Sequence, residues 1–103
     1  EINFVSQRKI LASVVRESEL ATKDVSGKIV CITSADPGYD YLFSRGIAGL
    51  VTCYGGANSH MAIRSGELGL PAVIGAGEVL YRRWSEAQRL HLDCAGRRVE
   101  VLS

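Results

Sequence analysis

The sequence predicts an α/β protein with a largely parallel core sheet and a C-terminal hairpin. Two short apolar runs rich in β-branched residues, 28–33 and 47–53, are typical of buried strands. Each run is followed by a segment with helical features, and strands that alternate with helices favour a parallel sheet. Residues 88–93 alternate between apolar and polar, and a turn at 95–97 leads into a return strand over 98–102, which indicates the hairpin.

Turn and cap signals define the elements of the N-terminal half. Residues 8–20 fit either a strand or a short helix, and Val14 and Val15 favour the strand. Asp36 is a helix-capping residue, and Pro37 suits the first turn of a short helix over 39–45.

Similar signals define the C-terminal half. A second helix is expected over 59–68, and Gly69 is its natural C-terminal stop. A third short strand over 71–74 and another short helix over 78–84 follow. In strand 88–93 the alternation predicts that Leu90 and Leu92 face inward and that His91 and Asp93 lie on the half-exposed face.

Composition and charge narrow the class of protein. The 103 residues suit a single domain, and the 47% hydrophobic and 22% charged content is ordinary for a globular protein. A net charge of +1 gives no electrostatic reason to expect nucleic acid or a membrane surface as a partner. No apolar run approaches the ~18 residues of a membrane-spanning helix.

The cysteines indicate a reducing, cytoplasmic compartment. Cys31, Cys53 and Cys94 are odd in number and far apart, and no CxxC pair suggests a zinc or redox site. Each lies in a strand-like run, so we expect small, buried, reduced side chains. The chain has no initiator methionine and no signal-peptide pattern, so we expect it to be part of a longer polypeptide.

Residues 55–75, GGANSHMAIRSGELGLPAVIG, carry most of the functional information. Gly55 and Gly56 lead through Asn58 and Ser59 to His60, which is placed at the start of a helix under a loop of free backbone N–H groups. Such a helix end favours anions, because its first N–H groups are unpaired and the helix dipole is positive there. A neutral imidazole in that position can attack phosphorus and become a phosphoryl carrier.

This segment resembles the signature of the phosphohistidine, or swivelling, domain of the phosphoenolpyruvate-utilising enzymes. The resemblance covers residues 25–103 well and residues 1–24 poorly, and it implies the swivelling β/β/α fold. The positions that match in order are Gly55, Gly56, Ser59, His60, Ala62, Ile63, Glu67, Gly69, Leu70, Pro71, Ala72, Val73, Ile74 and Gly75.

The chain departs from the family pattern at two positions in the helix. Gly66 replaces the usual arginine, and Arg64 stands where an aliphatic residue is common. Helical spacing places His60, Arg64 and Glu67 on one face, with Ala62, Ile63 and Gly66 expected to pack inward. We therefore hypothesise that Arg64 stabilises the phosphoryl anion in place of the missing arginine, because a guanidinium suits phosphate oxygens. The alternative is a solvated surface arginine.

Two neighbours of the histidine invite comparison with the same family. Asn58 stands where some dikinases carry a regulatory threonine, and asparagine cannot be phosphorylated. Asn58 or Ser59 could cap the helix, and a nearby acceptor should orient the imidazole of His60. The family implies that Nε2 of that ring is the phosphorylated atom.

The resemblance implies a carrier whose chemistry is completed by other domains. The chain has no GxxxxGK[ST] or GxGxxG nucleotide-binding loop, and no second ligand stands at metal-binding spacing from His60. No cofactor or metal is therefore expected on this domain. The resemblance implies that Mg-ATP is bound by a separate ATP-grasp domain, and that His60 passes the phosphoryl group to pyruvate or another acceptor on a further domain of the same polypeptide.

Two other functions fit the same residues. One is a non-catalytic docking module on the same fold, and the other is an anion-binding loop without covalent chemistry. Residues 36–40 form either a turn and helix cap or a contact surface near the histidine loop, and Tyr54 could lie at the rim of that loop. We expect His91 at the surface, and Tyr81 with Trp84 in the core or at an interface.

Overall fold

The computed structural model describes residues 1–103, which form seven strands, two α-helices and two 3₁₀ helices. The 3₁₀ helices are Glu17–Glu19 and Pro37–Arg45, and the α-helices are α1 (His60–Leu68) and α2 (Glu78–Ser85). The strands are β1 (Asn3–Val5), β2 (Lys9–Arg16), β3 (Ile29–Ser34), β4 (Gly49–Tyr54), β5 (Ala72–Ile74), β6 (Arg89–Asp93) and β7 (Arg98–Val101).

The strands form one mixed sheet in the order β1-β5-β4-β3-β2-β6-β7. The four central strands β2 to β5 pair in parallel, while β1, β6 and β7 join by antiparallel pairing. The sheet is therefore less parallel than expected, because three of its six pairings are antiparallel. One of these pairings joins β1 to β5. The sequence pattern predicted β5 but not β1.

The central strands are apolar on both faces because helices cover both sides of the sheet. In β3, Val30 and Ile32 contribute to one cluster and Ile29 and Cys31 to the other. The first cluster includes Leu42 of the Pro37–Arg45 helix with Met61 and Ala62 of α1, and the second includes Trp84 of α2 with Leu90 and Leu92. This packing holds the start of α1 against the sheet.

The expected elements are present with small shifts in their bounds. The segment over 8–20 contains a strand, β2, and the segment over 39–45 is helical but is a 3₁₀ helix that begins at Pro37. Asp36 caps that helix, since its carboxylate accepts a hydrogen bond from the Gly38 N–H at 2.8 Å. Gly69 ends α1 in the left-handed conformation, as predicted.

Two expectations about side-chain faces are wrong. Ile63 is 49% exposed and Gly66 is also exposed, because α1 buries Met61, Ala62 and Ser65 instead. At ~100° per residue, a short helix that buries those three positions must turn Ile63 towards solvent.

The second error concerns Asp93, which the alternation of β6 placed on the half-exposed face. Asp93 is 4% exposed, since its carboxylate accepts hydrogen bonds from the Gly96 N–H at 2.8 Å and from Arg98 at 3.4 Å. These bonds, with that from Gly96 the stronger cause, hold the pKa of Asp93 below its ordinary value. The carboxylate thus fixes the turn between β6 and β7.

The remaining side-chain expectations for the core are confirmed. All three cysteines are buried and free, and burial raises the pKa of the Cys31 thiol to about 12. Tyr81 and Trp84 pack in the cluster beneath α2.

Neither α1 nor α2 is long and apolar enough to cross a bilayer.

Alanine substitutions on the two faces of α1 should differ in their effect on the free energy of unfolding. Met61 is fully buried, so Met61→Ala should lower the free energy of unfolding by about 2–5 kcal/mol. Ile63→Ala, two residues away on the exposed side, should change it by less than about 0.5 kcal/mol. Equilibrium chemical denaturation measures both, and similar losses for the two variants would contradict the orientation of α1.

Candidate functional site

The candidate site lies at the edge of the sheet where the parallel strands β3 and β4 end. The Pro37–Arg45 helix follows β3, and the loop of residues 55–59, here called the glycine loop, joins β4 to α1. Because neighbouring parallel strands end at the same edge, these two segments meet there. His60 is the first residue of α1 and is placed directly at their junction.

Close packing holds the first glycine of the loop. Gly55 has φ +131°, and a Cβ at this position would lie 2.6 Å from Cβ of Ala35 and 3.2 Å from Cγ2 of Ile74. A Cβ at Gly75 would in turn collide with the Gly55 carbonyl. Gly56 has no atom within 4 Å of the equivalent position and does not need φ in the left-handed region. Of the glycine pair, only Gly55 is therefore required by packing.

The end of the loop forms the cap of α1. Ser59 Oγ donates to the Gly56 carbonyl at 2.7 Å and accepts a hydrogen bond from the Ala62 N–H at 3.4 Å. Ser59 is thus the N-cap, and the exposed Asn58 is not. The N–H groups of Gly56, Ala57 and Asn58 make no hydrogen bond to a backbone carbonyl. These free donors and the start of α1 create an environment that favours an anion beside His60.

The imidazole of His60 contacts a carboxylate from the facing helix. Its Nε2 lies 2.6 Å from Oδ1 of Asp40, and the two side chains are 36% and 42% exposed. Since a carboxylate only accepts hydrogen bonds, this contact requires a hydrogen on Nε2. The imidazole is accessible and has its orientation fixed by Asp40.

Arg64 completes the cluster one turn along α1. Its Nε donates to the same Asp40 oxygen at 3.1 Å, its Nη1 donates to Glu67 at 3.3 Å, and its guanidinium lies 5.6 Å from the Phe43 ring centroid. The hydrogen bonds from His60 and then from Arg64 hold the pKa of Asp40 below its ordinary value. The bonds to Asp40 and Glu67 raise the pKa of Arg64, so a permanent cation lies beside His60.

The sequence prediction therefore brought together the residues of α1 and the loop but did not assign Asp40 to His60. Asp40 appeared there only within a five-residue segment that could form a contact surface. The sole signal available was topological, namely that loops after parallel strands share one edge of the sheet. No spacing rule connects positions 40 and 60.

Neither Tyr54 nor His91 makes a hydrogen bond to this cluster. The Tyr54 hydroxyl donates to Glu78 at the start of α2, which raises the pKa of Tyr54 to about 12, and no hydrogen bond joins it to His60. His91 is half-buried on β6, where Nδ1 lies 3.0 Å from Oε1 of Glu100 in β7. No group of three or more His, Cys, Asp or Glu side chains is placed to hold a metal ion.

The sequence profile described as "PEP-utilising enzyme, mobile domain" matches residues 24–96, which include the glycine loop and all of α1. The chain belongs to this family. The mobile domain is 38% identical over 86 residues to a rifampicin phosphotransferase of Streptomyces sviceus, a match that covers 82% of the chain and 10% of that protein. It is also 38% identical over 60 residues to a probable phosphoenolpyruvate synthase of Staphylothermus marinus, covering 58% of the chain and 7% of that protein.

These relatives are much longer than the mobile domain, which spans about a tenth of the length of the first. Among solved structures, the solution NMR structure of a UPF0107 protein is similar with a TM-score of 0.72 over 98% of this chain and 96% of that one. At 10% identity, this likeness concerns the fold alone.

The two longer relatives show that the mobile domain is a domain type found in phosphotransferases.

Alanine substitutions of Gly55 and Gly56 should show which of the two glycines is required by packing. Gly55→Ala should lower the free energy of unfolding by about 1–3 kcal/mol, because it forces a side chain into strained backbone and into Ala35. Gly56→Ala, with open space around it, should change stability by less than about 0.5 kcal/mol. Chemical denaturation of both variants provides the comparison, and a neutral Gly55→Ala would disprove the close approach.

Proposed function

We propose that the mobile domain carries a phosphoryl group on His60 between two sites of a longer phosphotransferase. The observation that carries this proposal is the placement of an accessible imidazole at the first position of α1, beside free loop N–H groups and the cation of Arg64. An imidazole nitrogen is the nucleophile, and the surrounding donors and cation suit the anionic product.

Two half-reactions make up the proposed cycle. In the first, Nε2 of His60 gives up its hydrogen while Nδ1 takes one up, and the free pair on Nε2 forms a bond to phosphorus while the P–O bond of the nucleotide breaks. The electron pair of that P–O bond leaves on the departing phosphate oxygen. In the second, an acceptor oxygen attacks the same phosphorus and the P–N bond breaks. The donor would be Mg-ATP on an ATP-grasp domain, and the acceptor would be pyruvate or another small molecule on a further domain of the same polypeptide.

The division of labour explains the small site of the mobile domain. His60 is attached to a rigid helix whose next two residues, Met61 and Ala62, are buried in the core, so the whole domain moves as the carrier. The residues around His60 supply charge and hydrogen-bond donors that stabilise a phosphoryl group whatever molecule it comes from or goes to. Selection of the substrate is then left to the partner domains.

The phosphoryl adduct on His60 is the direct test. Full-length enzyme incubated with Mg-ATP should gain one phosphoryl group by intact-protein mass spectrometry, and the adduct should be lost in acid and retained in base. His60→Ala and His60→Gln should abolish it completely, because no nitrogen nucleophile remains. His91→Ala is the matched control and should leave the adduct unchanged. Binding of phosphate without any adduct would favour the anion-binding alternative.

Arg64 should stabilise charge during the transfer. Arg64→Ala removes the guanidinium beside His60 and should slow phosphorylation about 10- to 100-fold, the range expected for one hydrogen bond to a charged group. Arg45→Ala serves as the control, since Arg45 is an exposed arginine whose guanidinium lies over the Tyr41 ring of its own helix, Pro37–Arg45. Rapid-quench measurement of phosphohistidine formation gives both rates, and an unchanged rate in Arg64→Ala would exclude this role.

A further inference from the structure

The contact between Asp40 and His60 conflicts with phosphorylation at the nitrogen that it occupies. Oδ1 of Asp40 lies 2.6 Å from Nε2 of His60, and this one oxygen also accepts the hydrogen bond from Arg64. A hydrogen on Nε2 leaves that atom without a free electron pair. In this arrangement Nε2 cannot attack phosphorus, and a phosphoryl group bonded to it would take the place of the carboxylate.

Charge also disfavours the Asp40 carboxylate beside a phosphorylated ring. A phosphoryl group adds up to about two negative charges, and a carboxylate at hydrogen-bond distance would repel it. The guanidinium of Arg64 has several donors, and its Nη1 bond to Glu67 holds it on the same face of α1 as His60. Arg64 can therefore exchange the carboxylate for the phosphoryl group without leaving the face of α1.

The helix that carries Asp40 allows its side chain to move while the backbone stays in place. Leu42 is fully buried in the core, and the Asp36 carboxylate holds the first turn through the Gly38 N–H. The Asp40 side chain itself is 42% exposed and is bonded only to His60 and Arg64. A rotation of that side chain towards solvent is sufficient to release the ring.

We propose that Asp40 is a positioning residue that holds unphosphorylated His60 through the Nε2 hydrogen and is displaced when Nε2 accepts the phosphoryl group, with Arg64 passing from the carboxylate to the phosphoryl oxygens. The inference rests on the proposed carrier function. On release, the Nε2 proton passes to water and Nδ1 takes up a proton from water, so the ring stays neutral. The free pair on Nε2 then forms the N–P bond as the P–O bond of the nucleotide breaks.

This exchange makes Asp40 a competitor of the phosphoryl group. The carboxylate stabilises the unphosphorylated ring and repels the phosphorylated one, so both effects favour the unphosphorylated state. Asp40→Asn keeps the size of the side chain and removes its charge. At a fixed ratio of ATP to its products, this variant should therefore raise the equilibrium ratio of phosphorylated to unphosphorylated enzyme, by about two- to fivefold for an exposed charge pair.

The test uses the full-length enzyme with Mg-ATP and compares the wild type, Asp40→Asn, Asp40→Ala and Glu86→Gln. Glu86→Gln is the matched control, because it removes the charge of an exposed carboxylate at the C-terminal end of α2, outside the glycine loop and the cluster on α1. The phosphorylated fraction at equilibrium should rise in both Asp40 variants and stay unchanged in the control. Isomer analysis after alkaline digestion should find the phosphoryl group on Nε2. A merely structural role for Asp40 would not raise this fraction.

The possible failures separate the inference from the function on which it rests. If the wild type is phosphorylated and the fraction falls or stays constant in the Asp40 variants, the displacement of Asp40 is overturned and the carrier function stands. Phosphorylation on Nδ1 has the same consequence, since Asp40 could then keep its contact with Nε2. A wild type that forms no phosphohistidine overturns both.

Discussion

The close approach of Gly55 to two neighbouring strand ends is the constraint on which the candidate site depends. The Cα of Gly55 faces Ala35 and Ile74, and Gly75 leaves room for its carbonyl. A side chain at position 55 would push the loop away from the edge of the sheet. Because only a few residues separate Gly55 from α1, the same displacement would move the N-cap and the imidazole of His60.

The cluster of charges above this loop has a different character. Asp40, His60 and Arg64 are each more than one-third exposed, and water screens their interactions. Such contacts orient side chains without contributing much to folding. The arrangement suits a site that must accept an anion, since strong burial of the histidine would make the charged product costly. Stability comes instead from the apolar residues beneath the site, such as Met61 and Ala62.

Much of the fold and part of the site could be predicted from the sequence because the signals act over a few residues. The β-branched runs of β3 and β4, the serine that caps α1 and the glycine that ends it are all local features. Helical spacing correctly placed His60, Arg64 and Glu67 on one face, where Arg64 bonds Glu67. The family resemblance in the glycine loop depends on the same short segment.

Contacts between residues far apart in the chain decided the rest. The antiparallel pairing of β1 with β5 joins residues about 70 positions apart. A strand of three residues is too short for a local sequence pattern to predict it. The burial of Asp93 and the exposure of Ile63 depend on what packs beside them. Thus the sequence by itself determined a histidine at a capped helix start beneath a glycine loop. Only the tertiary structure decided that Asp40 meets that histidine, because two parallel strands end side by side and bring separate segments to one edge.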